Sequence, residues 1–235
     1  MLPLNEFNIW HNKVLELPAC IGQLTGVAEM NQAGNRVSQV PPTAMTNWQN
    51  VTILNLFDCR LEKMAPIGHC SSLEEIRLSG NGLTAPPDFN GKVLPKLTLI
   101  KIRKNDISEL PLAFFRAMPA AEEVDLSHNR ITDVPSGIDC PNLERLSLGN
   151  NKLTSLPPDL PLLPSLKVLI LEANFLDTLP ETFVQAKHLK AVALSRNHML
   201  LRTSMAICVQ IEKALHKNNG QYWAPDGQYW APDTE

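Results

Sequence analysis

The spacing L-x-x-L-x-L-x-x-N-x-L returns nine times along the chain, and no other feature constrains its fold as strongly. Aligned on the ninth position, the units carry Asn12, Asn35, Cys59, Asn81, Asn105, Asn129, Asn151, Asn174 and Asn197. Successive intervals are 23, 24, 22, 24, 24, 22, 23 and 23 residues. A unit of that size cannot bury its own apolar face and must stack on its neighbours, so a period this steady specifies a solenoid.

Within each unit the x-L-x-L-x stretch alternates at period two, as a half-buried strand does, with two apolar side chains inward and the residues around them in solvent. Rung five reads Leu97, Ile100, Ile102, Asn105, Ile107, and rung seven reads Leu143, Leu146, Leu148, Asn151, Leu153. A buried Asn is tolerable only when its amide is fully bonded. A column of them can serve the backbone groups that the turn after each strand leaves open, so the ninth positions are expected to form a structural ladder.

On these residues the chain resembles the leucine-rich repeat family over about residues 4–200. The family pattern admits Asn or Cys at the ninth position, which makes Cys59 a permitted variant. The resemblance implies a curved parallel β-sheet with short strands on the concave side; with the prolines and the C-terminal pattern the fold reads as an α/β solenoid, a leucine-rich repeat horseshoe with mostly turns and short 3₁₀ segments on the convex side and a C-terminal capping helix. The prolines agree with it. An apolar residue precedes Pro at Leu17-Pro18, Val40-Pro41, Leu110-Pro111, Val134-Pro135, Leu156-Pro157 and Leu179-Pro180. Proline lacks an N–H and fixes φ, which disfavours a long regular helix on the convex side.

The repeat runs without a break, so residues 1–200 read as one solenoid of nine repeats, 201–219 as a capping helix and 220–235 as a flexible tail. Thr203 or Ser204 can cap the helix, which runs to about Lys217 with Ile207, Cys208, Ile211, Ala214 and Leu215 on one face. The tail holds Gly-Gln-Tyr-Trp-Ala-Pro-Asp twice in tandem, at 220–226 and 227–233. It is expected to be dispensable for folding; the alternative is a linear motif that binds an apolar groove. The first rung starts at Leu4 without a polar cap, so either upstream residues complete it or its open edge pairs, giving a monomer or a weak oligomer.

A net charge of −3 gives no global pull toward nucleic acid. No apolar run approaches the roughly 20 residues of a membrane span, and the first 25 residues already belong to the repeat, so neither a membrane span nor a signal peptide is expected. The five cysteines are scattered, without C-x-x-C pairs and without the end clusters of extracellular family members. A cytoplasmic location is therefore expected. The sequon Asn50-Val51-Thr52 points the other way, but Val51 falls on a ladder position and the match reads as coincidence.

No phosphate loop, dinucleotide turn, H-E-x-x-H, G-x-S-x-G or acidic calcium loop is present. His11 and His128 share a column but stand five rungs apart, on the order of 24 Å at the usual strand spacing, too far to cooperate. No catalytic residue, metal site or cofactor is expected.

Function must then lie on the outward positions of the concave strands. The column between the ladder leucines runs Asn8, Asn31, Asn55, Arg77, Lys101, Asp125, Ser147, Ile170, Ala193. The next runs Trp10, Ala33, Phe57, Ser79, Arg103, Ser127, Gly149, Glu172, Ser195. An aromatic and amide zone is followed by a charged centre, then by a smaller, more apolar zone. Cross-strand pairing of Lys101 with Asp125 and of Glu123 with Arg145 is expected to neutralise much of the centre. Arg103 and Lys104 lack such matches. Exposed Trp10 and Phe57 are costly to leave in solvent and are typical binding anchors. The residues expected to bind a protein partner are thus Asn8, Trp10, Asn31, Asn55, Phe57, Arg77, Lys101, Arg103, Lys104 and Asp125. The L-x-x-L-P units resemble those of scaffolds that engage small GTPases, phosphatases and adhesion adaptors. A regulatory or targeting fragment of a larger signalling protein, and an extracellular recognition protein, remain open alternatives.

Overall fold

The computed structural model describes residues 4–200, 205–217, 220–225 and 229–230. One sheet of eleven strands runs in chain order. Its members are β1 (Glu6–Asn8), β2 (Glu29–Asn31), β3 (Ile53–Asn55), β4 (Glu75–Arg77), β5 (Leu99–Lys101), β6 (Glu123–Asp125), β7 (Arg145–Ser147), β8 (Val168–Ile170), β9 (Ala191–Ala193), β10 (Gln221–Trp223) and β11 (Tyr229–Trp230). β1 to β10 are parallel to their neighbours, and β11 is antiparallel to β10. The fold is the leucine-rich repeat horseshoe, with this sheet on the concave side.

Each rung leaves its strand through the same turn. The residue before the ninth position is left-handed in all nine: His11, Gly34, Asp58, Gly80, Lys104, His128, Asn150, Ala173 and Arg196, with φ between 52° and 73°. Only two of these are glycine, so the others carry a local cost of about 1–2 kcal/mol each, which the ladder behind them must offset. The ladder does so with a repeated bond set. Asn129 Nδ2 donates to Leu126 O in its own rung at 2.9 Å and to Ile102 O in the rung before at 3.0 Å, while its Oδ1 accepts Ile107 N at 3.1 Å. Asn35, Asn81, Asn105, Asn151, Asn174 and Asn197 repeat the pattern. Asn12 differs. It lies exposed, and among the described residues it bonds only within its own rung, to Ile9 O and Trp10 O.

Cys59 keeps one bond of the ladder, from Sγ to Gln32 O at 3.1 Å. The same rung boundary holds a second irregularity. Gln32 occupies a ladder-leucine position in rung two and is fully buried, and among the described residues neither Nε2 nor Oε1 has a hydrogen-bond partner. The period places a leucine there, so the pattern alone does not reveal the polar core residue.

The convex side carries short pieces: 3₁₀ turns at Ala19–Gln23, Leu160–Leu162 and Glu181–Gln185, and short helices α1 (Pro42–Asn47) and α2 (Leu112–Arg116). Pro18, Pro41, Pro111 and Pro180 stand at the cap of four of them in extended conformation, each preceded by a buried Leu or Val. The fixed φ starts the turn, and the missing N–H is one that a helix start leaves unbonded anyway.

Helix α3 (Met205–Lys217) buries Cys208, Ile211 and Leu215, with Ile207 and Ala214 at its margin, as its periodicity predicts. The expected caps Thr203 and Ser204 lie outside the described residues. The segment after α3 departs from the expectation of a flexible tail. Gly220 N donates to Leu215 O at 2.8 Å, and β10 then continues the sheet beyond β9 as a tenth parallel strand. Tyr222 pairs with Val192 and is 2% exposed, taking the place of a ladder leucine. Gly220 permits the turn because a Cβ there would stand 2.7 Å from Lys190 O. The heptapeptide has no L-x-x-L spacing, which is why a repeat count passes over it.

Candidate functional site: the concave face

Strand register aligns three outward columns. Asn8, Asn31, Asn55, Arg77, Lys101, Asp125, Ser147, Ile170 and Ala193 stand side by side, as the spacing predicts. A second column at the strand starts contains Glu6, Glu29, Glu75 and Glu123, of which the sequence pattern singles out only the last. The third holds Trp10, Ala33 and Phe57 on rungs one to three.

Trp10 is 56% and Phe57 49% exposed, and Ala33 between them is 9% exposed. Two rings thus flank a small residue and make an aromatic notch. Trp10 also packs edge-on against His11 at 4.9 Å. The amide column has a structural duty in addition to its exposure. Asn8, Asn31 and Asn55 each accept the backbone N–H two residues on, at 3.2, 3.3 and 3.2 Å, which fixes the backbone of Trp10, Ala33 and Phe57.

In the charged centre the partners differ from those expected. Lys101 Nζ lies 3.7 Å from Glu123 Oε1 and not against Asp125, because the diagonal Glu is within reach of the flexible stem. Asp125 Oδ1 instead accepts Ser127 N at 3.0 Å and Ser127 Oγ at 2.6 Å. Arg77 pairs with Glu75 at 2.6 Å along its own strand. With Glu123 turned to Lys101, Arg145 has no ion pair among the described residues.

Arg103 Nη2 lies 3.2 Å from His128 Nε2. Burial, with Arg103 and then Lys104 beside it, pushes the His128 imidazole below its ordinary value, and Asp125 and Glu172 oppose this. Arg77, Lys101, Arg103, Glu123, Asp125 and His128 all line one groove of about 640 Å³ that reaches from Phe57 to Glu172. A second hollow of about 440 Å³, over Val168, Ile170, Ala191 and Ala193, is more apolar. Among the described residues no group of His, Cys, Asp or Glu side chains is arranged to hold a metal ion, and no helix is long and apolar enough to cross a membrane.

A ladder-stabilised parallel sheet with an open, chemically zoned concave face defines a repeat solenoid. Comparison with known proteins gives it a family. Models described as leucine rich repeat match residues 141–199 and 122–134. The human leucine-rich repeats and immunoglobulin-like domains protein 3 is 28% identical over 182 residues, 76% of this chain and 16% of that protein. Keratocan of Gallus gallus is 28% identical over 156 residues, 63% of this chain and 42% of its own length. A solved leucine-rich repeat protein of Leptospira interrogans superposes with a TM-score of 0.78 at 30% identity, covering 89% of this chain and 53% of that one. The chain is a leucine-rich repeat protein, and it spans less than half the length of these two curated relatives.

Proposed function

We propose that the protein is a non-catalytic recognition module that holds a protein partner on its concave face. The observation that carries this reading is the notch of Trp10, Ala33 and Phe57. Two large rings stand about half exposed on a sheet that could have carried polar residues there, and such rings are typical anchors of protein interfaces. The partner's apolar side chain would enter the notch. Its polar groups would meet Asn8, Asn31 and Asn55, and its charges would meet Arg77, Lys101, Arg103, Lys104 and Asp125. Contacts over several rungs supply area that a short strand alone does not.

We place this activity in a reducing, cytoplasmic compartment, supported by five unpaired cysteines, four of them buried apart in the core. An extracellular setting is favoured by one observation, the exposure of Asn50 within its sequon. Intact mass of protein from its native source separates the two, since glycan at Asn50 contradicts the cytoplasmic reading. The binding face is tested by a photo-crosslinking residue at Ser79 on the concave side or at Glu181 on the convex side, in native lysate. Capture from Ser79 and not from Glu181 supports the proposal; the reverse moves the site.

A further inference from the structure

Three nitrogen-bearing side chains meet on rungs five and six. Lys104 and His128 are consecutive members of the left-handed turn column, with φ of 55° and 56°, and Lys104 N donates to Ser127 O at 3.0 Å. Arg103 crosses from rung five to His128. A guanidinium has only donors, so His128 Nε2 must accept, and the imidazole is then neutral with its proton on Nδ1. This is an unusual bond for an exposed arginine. Its partner is the one nearby group that can itself become a cation.

Elsewhere in the groove Arg77 is answered by Glu75, Lys101 by Glu123 and Asp125 by Ser127, while Arg145 and Glu172 have no ion pair among the described residues. Among the described residues no carboxylate is within ion-pair reach of Arg103 or Lys104. Four permanent cations and three carboxylates line the groove, and Lys104 stands just outside it. So small an excess of positive charge suits a singly charged anion better than a dianion such as phosphate.

We propose that Arg103, Lys104 and His128 form the recognition point for an acidic side chain, Asp or Glu, of the protein partner, and that docking of this carboxylate favours protonation of His128 from solvent. The proposal rests on the concave-face reading above. His128 faces Arg103 and Lys104 from rung five, Asp125 from its own rung and Glu172 from rung eight; its rung-seven neighbours Gly149 and Asn150 are uncharged. In the free protein, burial and the two cations favour the neutral imidazole. A carboxylate seated against Arg103 offsets those cations and favours the imidazolium, which becomes a third donor to it. Binding therefore tightens as pH falls.

The test uses the full chain and a blocked hexaglutamate peptide, read by the NMR titration of His128. Saturating peptide should raise the His128 midpoint. Affinity should rise about tenfold from about pH 8 to about pH 5, the ratio that one unit of midpoint shift produces. Arg103→Gln should weaken the peptide about tenfold and raise the His128 midpoint in the free protein, a change that loss of a mere surface contact does not make. His128→Gln should leave binding that no longer varies with pH over that range. Absence of peptide binding, an unmoved His128 midpoint, equal affinity in Arg103→Gln, or stronger response to inorganic phosphate than to peptide each overturns the carboxylate site. None of these bears on capture by the Trp10 and Phe57 notch, so failure here is distinct from failure of the concave-face reading.

Discussion

Asn129 and Ile107 are 22 residues apart in sequence, yet the Ile107 N–H donates to Asn129 Oδ1 at 3.1 Å inside the solenoid. The bond ties one rung to the next. With the two carbonyls that its Nδ2 serves, Asn129 satisfies three backbone groups that neither strand nor turn can reach. Replacing it by Ala leaves the Ile107 N–H buried and unpaired, while Ile102 O and Leu126 O keep their bonds from Asn105 and Asn151, so Asn129→Ala should cost about 1–3 kcal/mol in denaturant melts. Cys59→Ala should cost less, because a thiol is a weak bonding group. Equal and negligible losses contradict the ladder account.

Gln32 presents the opposite case, a buried amide with neither end bonded. Gln32→Leu restores the ladder residue and removes the desolvation penalty. It should stabilise the protein by about 1–3 kcal/mol, read as a higher denaturant midpoint at unchanged slope. A loss of stability would mean that the amide has bonding partners in solution.

Tyr222 closes the far end of the core. Removal of residues 220–235 should therefore lower the melting temperature, and Tyr222→Ala alone should cost about 3 kcal/mol, as for other large buried aromatics. An unchanged melting temperature after truncation would return the segment to the role of dispensable tail.

Burial pushes the Cys70 thiol up to about 11 and the Cys140 thiol up to about 12, from an ordinary 9.0, with Asp139 adding to the latter. The unfolded chain releases these protons first, so it binds fewer protons than the native state above about pH 9. Their contribution is fully present below that pH and is lost as pH rises through the folded values. Stability should thus fall between 9.0 and about 12. In the native protein at about pH 8 a thiol reagent should modify Cys20 first, since it alone of the five is exposed.

The repeat made the ladder, the strand register and the order of concave columns legible, because each follows from counting residues modulo about 23. Trp10 and Phe57 are exposed where the period puts them. What counting misses is chemistry that breaks the period. Gln32 sits in a leucine slot, β10 uses Tyr222 without the spacing, and Asp159 accepts Gly137 N–H from the neighbouring rung. Side-chain reach is likewise absent from a register. Lys101 prefers the diagonal Glu123 over the directly opposite Asp125, and Arg103 finds His128 one rung on.

The concave face stands or falls on one comparison, the affinity of a captured partner for the native protein and for Trp10→Ala, Phe57→Ala and the convex control Glu181→Lys. If the notch anchors the partner, each aromatic variant loses about 2 kcal/mol or more of binding free energy with its melting curve intact, and Glu181→Lys binds as the native protein does. Full affinity in both aromatic variants, shown to be folded, contradicts the account.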